Sequence, residues 1–275
     1  MKTTANNERM SLSICCYGGE YCKDVLLCLA NYSQRLLASL QLDFDIIYST
    51  KDMSIKSKKN KFSIRKLEDI CNDEGYFTSR ACIGMKKDAG TGWESDYSIY
   101  LAASKNHTII SFAEDGLELG KDVIKDIICK YSFILNSPYC IGYFMPYSKG
   151  PYFYSCAIQY NNSNHTVPRA LQRKDVTAQD RFSRWGGVGL PHKVYLRGVV
   201  RDIYPYNLLN PAQVNFSFDG KTLLEQVCSK NIPGVIEEIS PKRFLWTIKD
   251  EEDILQVTQV CENAGFIFDN INNLL

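Results

Sequence analysis

The stretch LRGVVRDIYPYNLLNP, Leu196 to Pro211, decides how the second half of this 275-residue chain is read. It begins like a strand and ends like a turn. Pro205 restricts Tyr204 to extended backbone and cannot donate to a ladder, so the incoming strand is expected to stop near Ile203. Asn207 and the pair Asn210-Pro211 suit turns. Arg201 and Asp202 are adjacent, so on a strand they point to opposite faces and are not read as a mutual ion pair. The stretch is expected to be a structural corner that opens a C-terminal unit. A partner-facing surface is the alternative reading, and a catalytic loop the third.

Outward from the corner, KVYLRGVV (residues 193–200) reads as a strand. Thr222 and Glu225 have capping-box spacing and start a short helix through Cys228. GVIEEI and RFLWTI read as strands around Ser240-Pro241. Asp250 caps a helix carrying Ile254, Val257, Val260, Cys261 and Ala264, and Gly265 ends it as a C′ glycine. FIF closes as a strand. The order is β-α-β-β-α-β, that of a ferredoxin-like unit.

The first half follows a looser version of the same logic. SLSICCYGG reads as a strand stopped by Gly18-Gly19, and Glu20 to Leu40 as an amphipathic helix with Val25, Leu29, Leu36 and Leu40 at helical spacing. DFDIIYST is a strand, and a short helix is expected near Leu67 to Cys71. YSIYLAAS and HTIISFAED form a hairpin joined around Lys105-Asn106. Asp115 and Glu118 have capping-box spacing for a helix with Val123, Ile124, Ile127, Ile128 and Tyr131 on one face. YCIGYFMPY and YFYSCAIQY read as two further strands, joined by the turn residues Ser148 to Pro151. Residues 161–192 are polar and read as a linker holding Trp185. The expectation is an α+β protein of two antiparallel-sheet halves, residues 1–160 and 193–275, around that linker.

Bulk properties narrow the function. Hydrophobic residues make up 45% of the chain and the formal net charge is +1, so there is no global signal for a polyanion partner. No run approaches the ~18 apolar residues of a membrane helix, and the N-terminus shows no signal peptide, so a cytoplasmic protein is expected. Eleven cysteines are scattered without a C-x-x-C pair, which reads as reduced core thiols rather than a zinc or disulfide framework.

Chemistry is sparse. His107, His165 and His192 lack metal-ligand spacing and read as surface or loop histidines. There is no G-x-S-x-G elbow, and GTGW and GGVG lack the rest of a phosphate-binding loop. Asp43 and Asp45 alternate on a strand and could flank a metal, although solvated edge charge is the simpler reading. Residues 51–66 hold seven Lys or Arg against one acid, but only Phe62 accompanies them, which suits a solvated loop better than a nucleic-acid patch. From Asn215 onward there are ten acids and five bases, a local balance near −5. An acidic end with aromatic company suits a basic protein partner. No catalytic set, metal site or cofactor is expected. The candidate partner-binding residues are Arg201, Asp202, Tyr204, Tyr206, Asn207, Glu237, Glu238, Asp250, Glu251, Glu252 and Asp253, with Tyr147 and Tyr152 from the tyrosine-rich segment.

The C-terminal block carries a resemblance. LRGVVRDIYPYNLLNPAQV, GKTLLEQV, PGVIEEI, FLWTIKDEEDILQV and ENAGFIF together resemble the immunity protein 52 family of bacterial polymorphic-toxin systems. The likeness covers about the last 80 residues, RD-x-YP-x-N above all, while the first half fits only in element order and length. The resemblance implies a cytoplasmic antitoxin that binds one cognate toxin domain and carries no catalysis. The toxin it implies is a nuclease of restriction-endonuclease type, delivered between competing bacteria. An acidic patch on the inhibitor would then mimic phosphate and steer association. A secretion-system adaptor is the alternative. A metal-dependent enzyme of phosphodiester or nucleotide chemistry, using Asp43, Asp45 or the Arg201/Asp202 pair, is the other.

Overall fold

The computed structural model describes residues 10–40, 46–50, 80–86, 99–104, 107–112, 119–146, 154–155, 185 and 193–269. The first half supplies β1 (Met10–Tyr17), α1 (Lys23–Ser39), β2 (Ile46–Thr50), β3 (Arg80–Lys86), β4 (Ile99–Ser104), β5 (His107–Phe112), α2 (Lys121–Ile134) and β6 (Tyr139–Pro146). After a 3₁₀ turn at Val194–Arg197 come β7 (Tyr206–Leu209), α3 (Pro211–Val214), β8 (Ser217–Phe218) and β9 (Lys221–Thr222). The chain then forms α4 (Leu223–Cys228), β10 (Val235–Ser240), β11 (Arg243–Thr247) and α5 (Glu251–Asn263).

The class is α+β with antiparallel pairing, as the sequence indicates. Among the described residues, nine strands form one sheet in the order β10-β11-β7-β6-β1-β5-β4-β3-β2. The two halves do not carry separate large sheets: they join where β6 pairs with β7, through Cys140↔Leu208, Ile141↔Asn207 and Gly142↔Tyr206. The β8–β9 hairpin stands apart as a two-stranded sheet.

Side-chain alternation sends each strand's residues into two cores. Leu12, Ile14 and Cys16 of β1 meet Ile110, Cys140, Leu208 and Leu245 on one face. That face is covered by Leu29 and Leu36 of α1 and by Ile124, Ile127, Ile128 and Tyr131 of α2. Cys15 and Tyr17 point the other way, where Tyr139, Ile141, Tyr143, Leu209 and Trp246 meet Ile254, Val257 and Cys261 of α5. The central strands are thus buried on both faces, yet β1 and β5 carry serines. Ser13 and Ser111 are register partners and hydrogen-bond each other at 3.0 Å, so two buried hydroxyls satisfy one another. Ser11 donates to the Met145 carbonyl at 2.9 Å.

Several local expectations change. KVYLRGVV is not a strand. Lys193 and Gly198 both take positive φ (50° and 92°), which turns the backbone around the 3₁₀ segment between them. Only Val200 bridges, in parallel to Ile267, so FIF contributes an isolated bridge rather than a sheet strand. The strand of the corner lies after Pro205, in YNLL, and the turn lies before it. The helix expected after Asp115 begins at Lys121 with Gly120 as N-cap and no side-chain cap; Asp115 and Glu118 lie outside the described residues. Tyr154 and Ser155 are helical rather than extended. The 161–192 linker lies outside the described residues except for Trp185.

Two termini behave as read. Gly18 (φ 69°) ends β1, and a Cβ there would strike the Tyr195 ring. At the end of α5, Gly265 donates to Glu262 and Phe266 to Cys261, the paired bonds of a Schellman motif with a left-handed glycine.

Candidate functional site

The corner is a buried polar knot. Arg201 is 6% exposed. Its guanidinium donates to the Tyr17 hydroxyl at 2.7 Å, to the Ser155 carbonyl at 3.1 Å and to the Tyr154 carbonyl at 2.5 Å. It also stacks 4.5 Å from the centre of the Tyr154 ring. The Arg201 backbone N–H donates to the Tyr139 hydroxyl at 3.1 Å, and the Tyr154 and Tyr204 hydroxyls share a hydrogen bond at 3.1 Å. Trp185 closes the knot, edge-on to Tyr17 and Phe268, so this tryptophan packs on residues of both halves.

Burial is the main cause that pushes the Tyr17, Tyr139 and Tyr154 phenols well above their ordinary range, with Arg201 partly offsetting it at each. Burial raises Tyr204 to about 12, again with Arg201 opposing. Burial pulls the Arg201 guanidinium down, but the surrounding tyrosines, Tyr17 first, more than offset that and hold it above its usual range. At neutral pH the knot is therefore a cation among neutral phenols and carbonyls. The Asp202 carboxylate lies close enough to act on Tyr139, Tyr154 and Tyr204, and the arrangement binds segments of both halves together.

Asn207 explains the turn. It is 1% exposed; its side chain accepts from the Tyr204 N–H at 3.1 Å and donates to the Tyr204 carbonyl at 2.6 Å. Both backbone groups of the residue before Pro205 are thus satisfied by one amide. Asn210 caps α3 reciprocally with Gln213 and donates to the Tyr195 carbonyl at 3.1 Å, while Gln213 donates to Val199 at 2.8 Å. These bonds fold the 3₁₀ segment onto the strand that follows.

Arg201, Tyr204 and Asn207 are therefore interior residues, and their expected place on a partner surface is corrected by their burial. Tyr206 is 8% exposed, so only its edge is available. Asp202 is half-buried, and its Oδ1 accepts from the Ile203 N–H at 2.8 Å. Glu237, Glu238, Asp250, Glu251 and Glu252 are exposed and Asp253 is half-buried. Tyr147 and Tyr152 lie outside the described residues, as do Asp43, Asp45, His165, His192 and the basic run at 51–66. His107 is no surface residue: it is 6% exposed in β5, with its ring stacked on Tyr17. Cys15, Cys16, Cys140 and Cys261 are core thiols as expected, whereas Cys22 is exposed at the N-cap of α1 and Cys28 and Cys228 are exposed on α1 and α4.

A groove of about 500 Å³ runs beside the corner, where β6 and β11 end and β7, α2 and α5 begin. Phe144, Tyr206, Leu245 and Ile248 line its apolar floor, and Lys121, Lys125, Lys249, Glu237 and Glu251 its rim. Phe144 is 42% exposed. Lys125 and Glu237 pair across the groove, and that hydrogen bond raises the lysine. The pair is exposed and screened, so it contributes only about 0.2–1 kcal/mol. Of the groove's lining, the sequence reading named Tyr204, Tyr206, Glu237 and Glu251 as partner-binding but not Asp122, Tyr143, Phe144 or the three lysines. Their convergence depends on sheet order, which leaves no local signal. Among the described residues no three His, Cys, Asp or Glu side chains gather as metal ligands would. None of the described helices is long and apolar enough to cross a membrane.

No protein-family model matches the chain, and no curated protein matches it. Among solved structures, the chain is similar to the Pseudomonas aeruginosa T6SS protein PA0821, at 9% identity and a TM-score of 0.50, over 95% of this chain and 74% of that one. A chain in the crystal structure of the toxic C-terminal tip of CdiA from Pseudomonas aeruginosa in complex with its immune protein aligns with 50% of this chain and 88% of its own length. Its identity is 14% and its TM-score 0.23, too low to argue from. At 9% identity the likeness to the T6SS protein shows a shared fold and nothing finer.

Proposed function

We propose that this chain is an immunity-type protein of interbacterial competition, which binds a secreted antibacterial toxin domain and neutralises it without catalysis. The observation that carries the reading is the exposed acid set beside the groove. Glu237 and Glu238 stand on edge strand β10, and Asp250, Glu251 and Glu252 at the start of α5. Glu237 and Glu251 line the groove beside the exposed Phe144, together with Lys121, Lys125 and Lys249, while Glu238 points to the other face of β10. These exposed carboxylates suit a basic partner. The resemblance of the C-terminal block to immunity protein 52 supports the same reading, and the fold is one also found in a T6SS protein.

The finer form of the proposal is a nuclease partner. A nuclease presents a basic surface to its substrate backbone, and carboxylates at the rim would occupy that surface as phosphates do. The Arg201 guanidinium is buried in the knot and engaged there with Tyr17, Tyr154 and Ser155, which weighs against catalysis by the Arg201/Asp202 pair. The test is to mix the purified chain with the toxin domain encoded beside it. A stable complex with loss of toxin activity is expected. A complex without loss of activity would favour the adaptor reading, and no complex would overturn the proposal.

A further inference from the structure

Cys16 and Cys140 face each other across the centre of the sheet. They are register partners in the β1–β6 ladder. Both point to the face covered by α1 and α2, where they sit in one buried cluster. Both are free thiols, and Cys140 donates to the Ser137 hydroxyl at 3.5 Å. Residues directly opposed on antiparallel strands have Cα atoms about 4.5 or 5.5 Å apart, depending on their place in the ladder. A disulfide accepts Cα separations of about 4.4–6.8 Å. Either ladder position therefore brings the pair within bonding range by side-chain rotation, without moving a strand. Cys15 lies on the opposite face, in register with Ile141 and Ile109.

We propose that Cys16 and Cys140 form a modification site, an internal dithiol that a low-molecular-weight disulfide such as oxidised glutathione converts to a single cross-strand disulfide. One protein thiol loses its proton and attacks a sulfur of the oxidant. The oxidant's S–S bond breaks, one glutathione thiolate leaves with that proton, and a mixed disulfide remains. The second protein thiol, deprotonated in turn, attacks the protein sulfur of the mixed disulfide. The second glutathione thiolate leaves with the second proton. Two protein thiols are oxidised and one oxidant disulfide is reduced to two thiols.

Burial, with a smaller contribution from the hydrogen bond to Cys140, holds the Cys16 thiol well above its ordinary range. The exchange is therefore slow in the closed sheet and proceeds through openings that expose β1. Once formed, the bond ties strands whose cysteines lie 124 positions apart in the chain (140 minus 16), which constrains the unfolded chain strongly.

The experiment exposes the full chain to oxidised glutathione in native buffer, followed by non-reducing digestion and mass spectrometry. Hydrogen exchange of the β1 amides runs in parallel to show that the strand has opened. The expected result is one linked peptide pair holding Cys16 and Cys140, lighter by two hydrogen atoms, reversed by dithiothreitol and accompanied by a higher thermal midpoint. Cys140→Ser abolishes the link. Cys228→Ser, which changes an exposed thiol on α4, leaves it intact and guards against a variant that merely fails to fold. Recovery of the two cysteines as separate thiols or separate glutathione adducts after β1 has exchanged overturns the proposal, as does pairing of either with another cysteine.

Discussion

The Arg201 guanidinium donates to the Tyr17 hydroxyl at 2.7 Å, joining the last residue of the first strand to a corner 184 positions later. The same guanidinium also donates to the buried carbonyls of Tyr154 and Ser155. Removing the cation takes a charged donor from all three acceptors at once, while the Ser155 carbonyl keeps the bond from the Tyr17 hydroxyl at 3.2 Å. Arg201→Ala is expected to destabilise the fold by about 3–5 kcal/mol, at the upper end of single substitutions. Arg201→Lys keeps the charge but not the fork, and should recover part of the loss. Urea unfolding of the three proteins measures both; a loss under about 1 kcal/mol for the alanine variant would contradict the account.

The same knot sets a limit at alkaline pH. Burial raises the folded-state pKa of Tyr17, Tyr139 and Tyr154, and Tyr204 reaches about 12. In the unfolded chain these phenols ionise near their ordinary value of about 10. Above that pH the unfolded state binds fewer protons than the folded one, so stability falls as pH rises. Their contribution is fully present below about pH 10 and, for Tyr204, is lost by about pH 12. Unfolding monitored by tyrosinate absorbance should show these phenols ionising together with loss of structure, not before it.

Asn207 gives a cleaner test of the turn. Its amide satisfies both the N–H and the carbonyl of Tyr204. Asn207→Asp preserves the acceptor, removes the donor and places a carboxylate where exposure is 1%. The expected cost at neutral pH is about 2–4 kcal/mol, falling as the pH is lowered and the carboxylate protonates. Denaturation at neutral and acid pH checks the direction. An aspartate variant that is more stable at neutral pH would refute the assigned bonds.

What the sequence made legible follows from how far each signal reaches. The buried faces of α1 and α2, the β4–β5 hairpin and the Gly265 terminus are set by neighbours within a few residues. The corner was misread because its signals come from farther away. A strand from Val194 would bury Val194 and Leu196 together. Instead Val194 and Tyr195 are buried and Leu196 is 48% exposed, because Asn210 and Gln213 downstream hold the carbonyls of Tyr195 and Val199. The proline was correctly seen as a break, but the break precedes the strand. Tyr204 and Asn207 then looked like surface recognition residues because nothing local announces that Tyr143 and Tyr154 pack against Tyr204 or that Asn207 is only 1% exposed. An arginine inside GVVRDI was the one available hint of a buried cation.

Asn210 links the 3₁₀ segment to α3, so its removal should cost more than an ordinary cap. Asn210→Ala loses the bond from Gln213 N–H and the bond to the Tyr195 carbonyl. A surface cap is worth about 1 kcal/mol; here about 2–3 kcal/mol is expected because the Tyr195 carbonyl is also stranded. Asn210→Asp keeps the cap acceptor and loses only the donor, so it should fall between. Thermal melts of the two variants against the parent order them.

The acidic rim predicts kinetics rather than stability. Glu238 and Glu252 are exposed, and neither is part of the Lys125–Glu237 pair. Glu238→Lys with Glu252→Lys should change folding stability by no more than about 1 kcal/mol, chiefly through the lost carboxylate at the α5 N-terminus. Against a basic toxin domain the same change removes two attractive charges and adds two repulsive ones. The association rate at low salt should drop about 10-fold or more, with a smaller effect on dissociation. Added salt should slow the parent toward the variant, because screening erases the steering that the variant already lacks. Stopped-flow association across a salt series reads both trends. Equal rates for the two proteins at low salt would remove the acidic face from the recognition mechanism and move it to the apolar floor around Phe144.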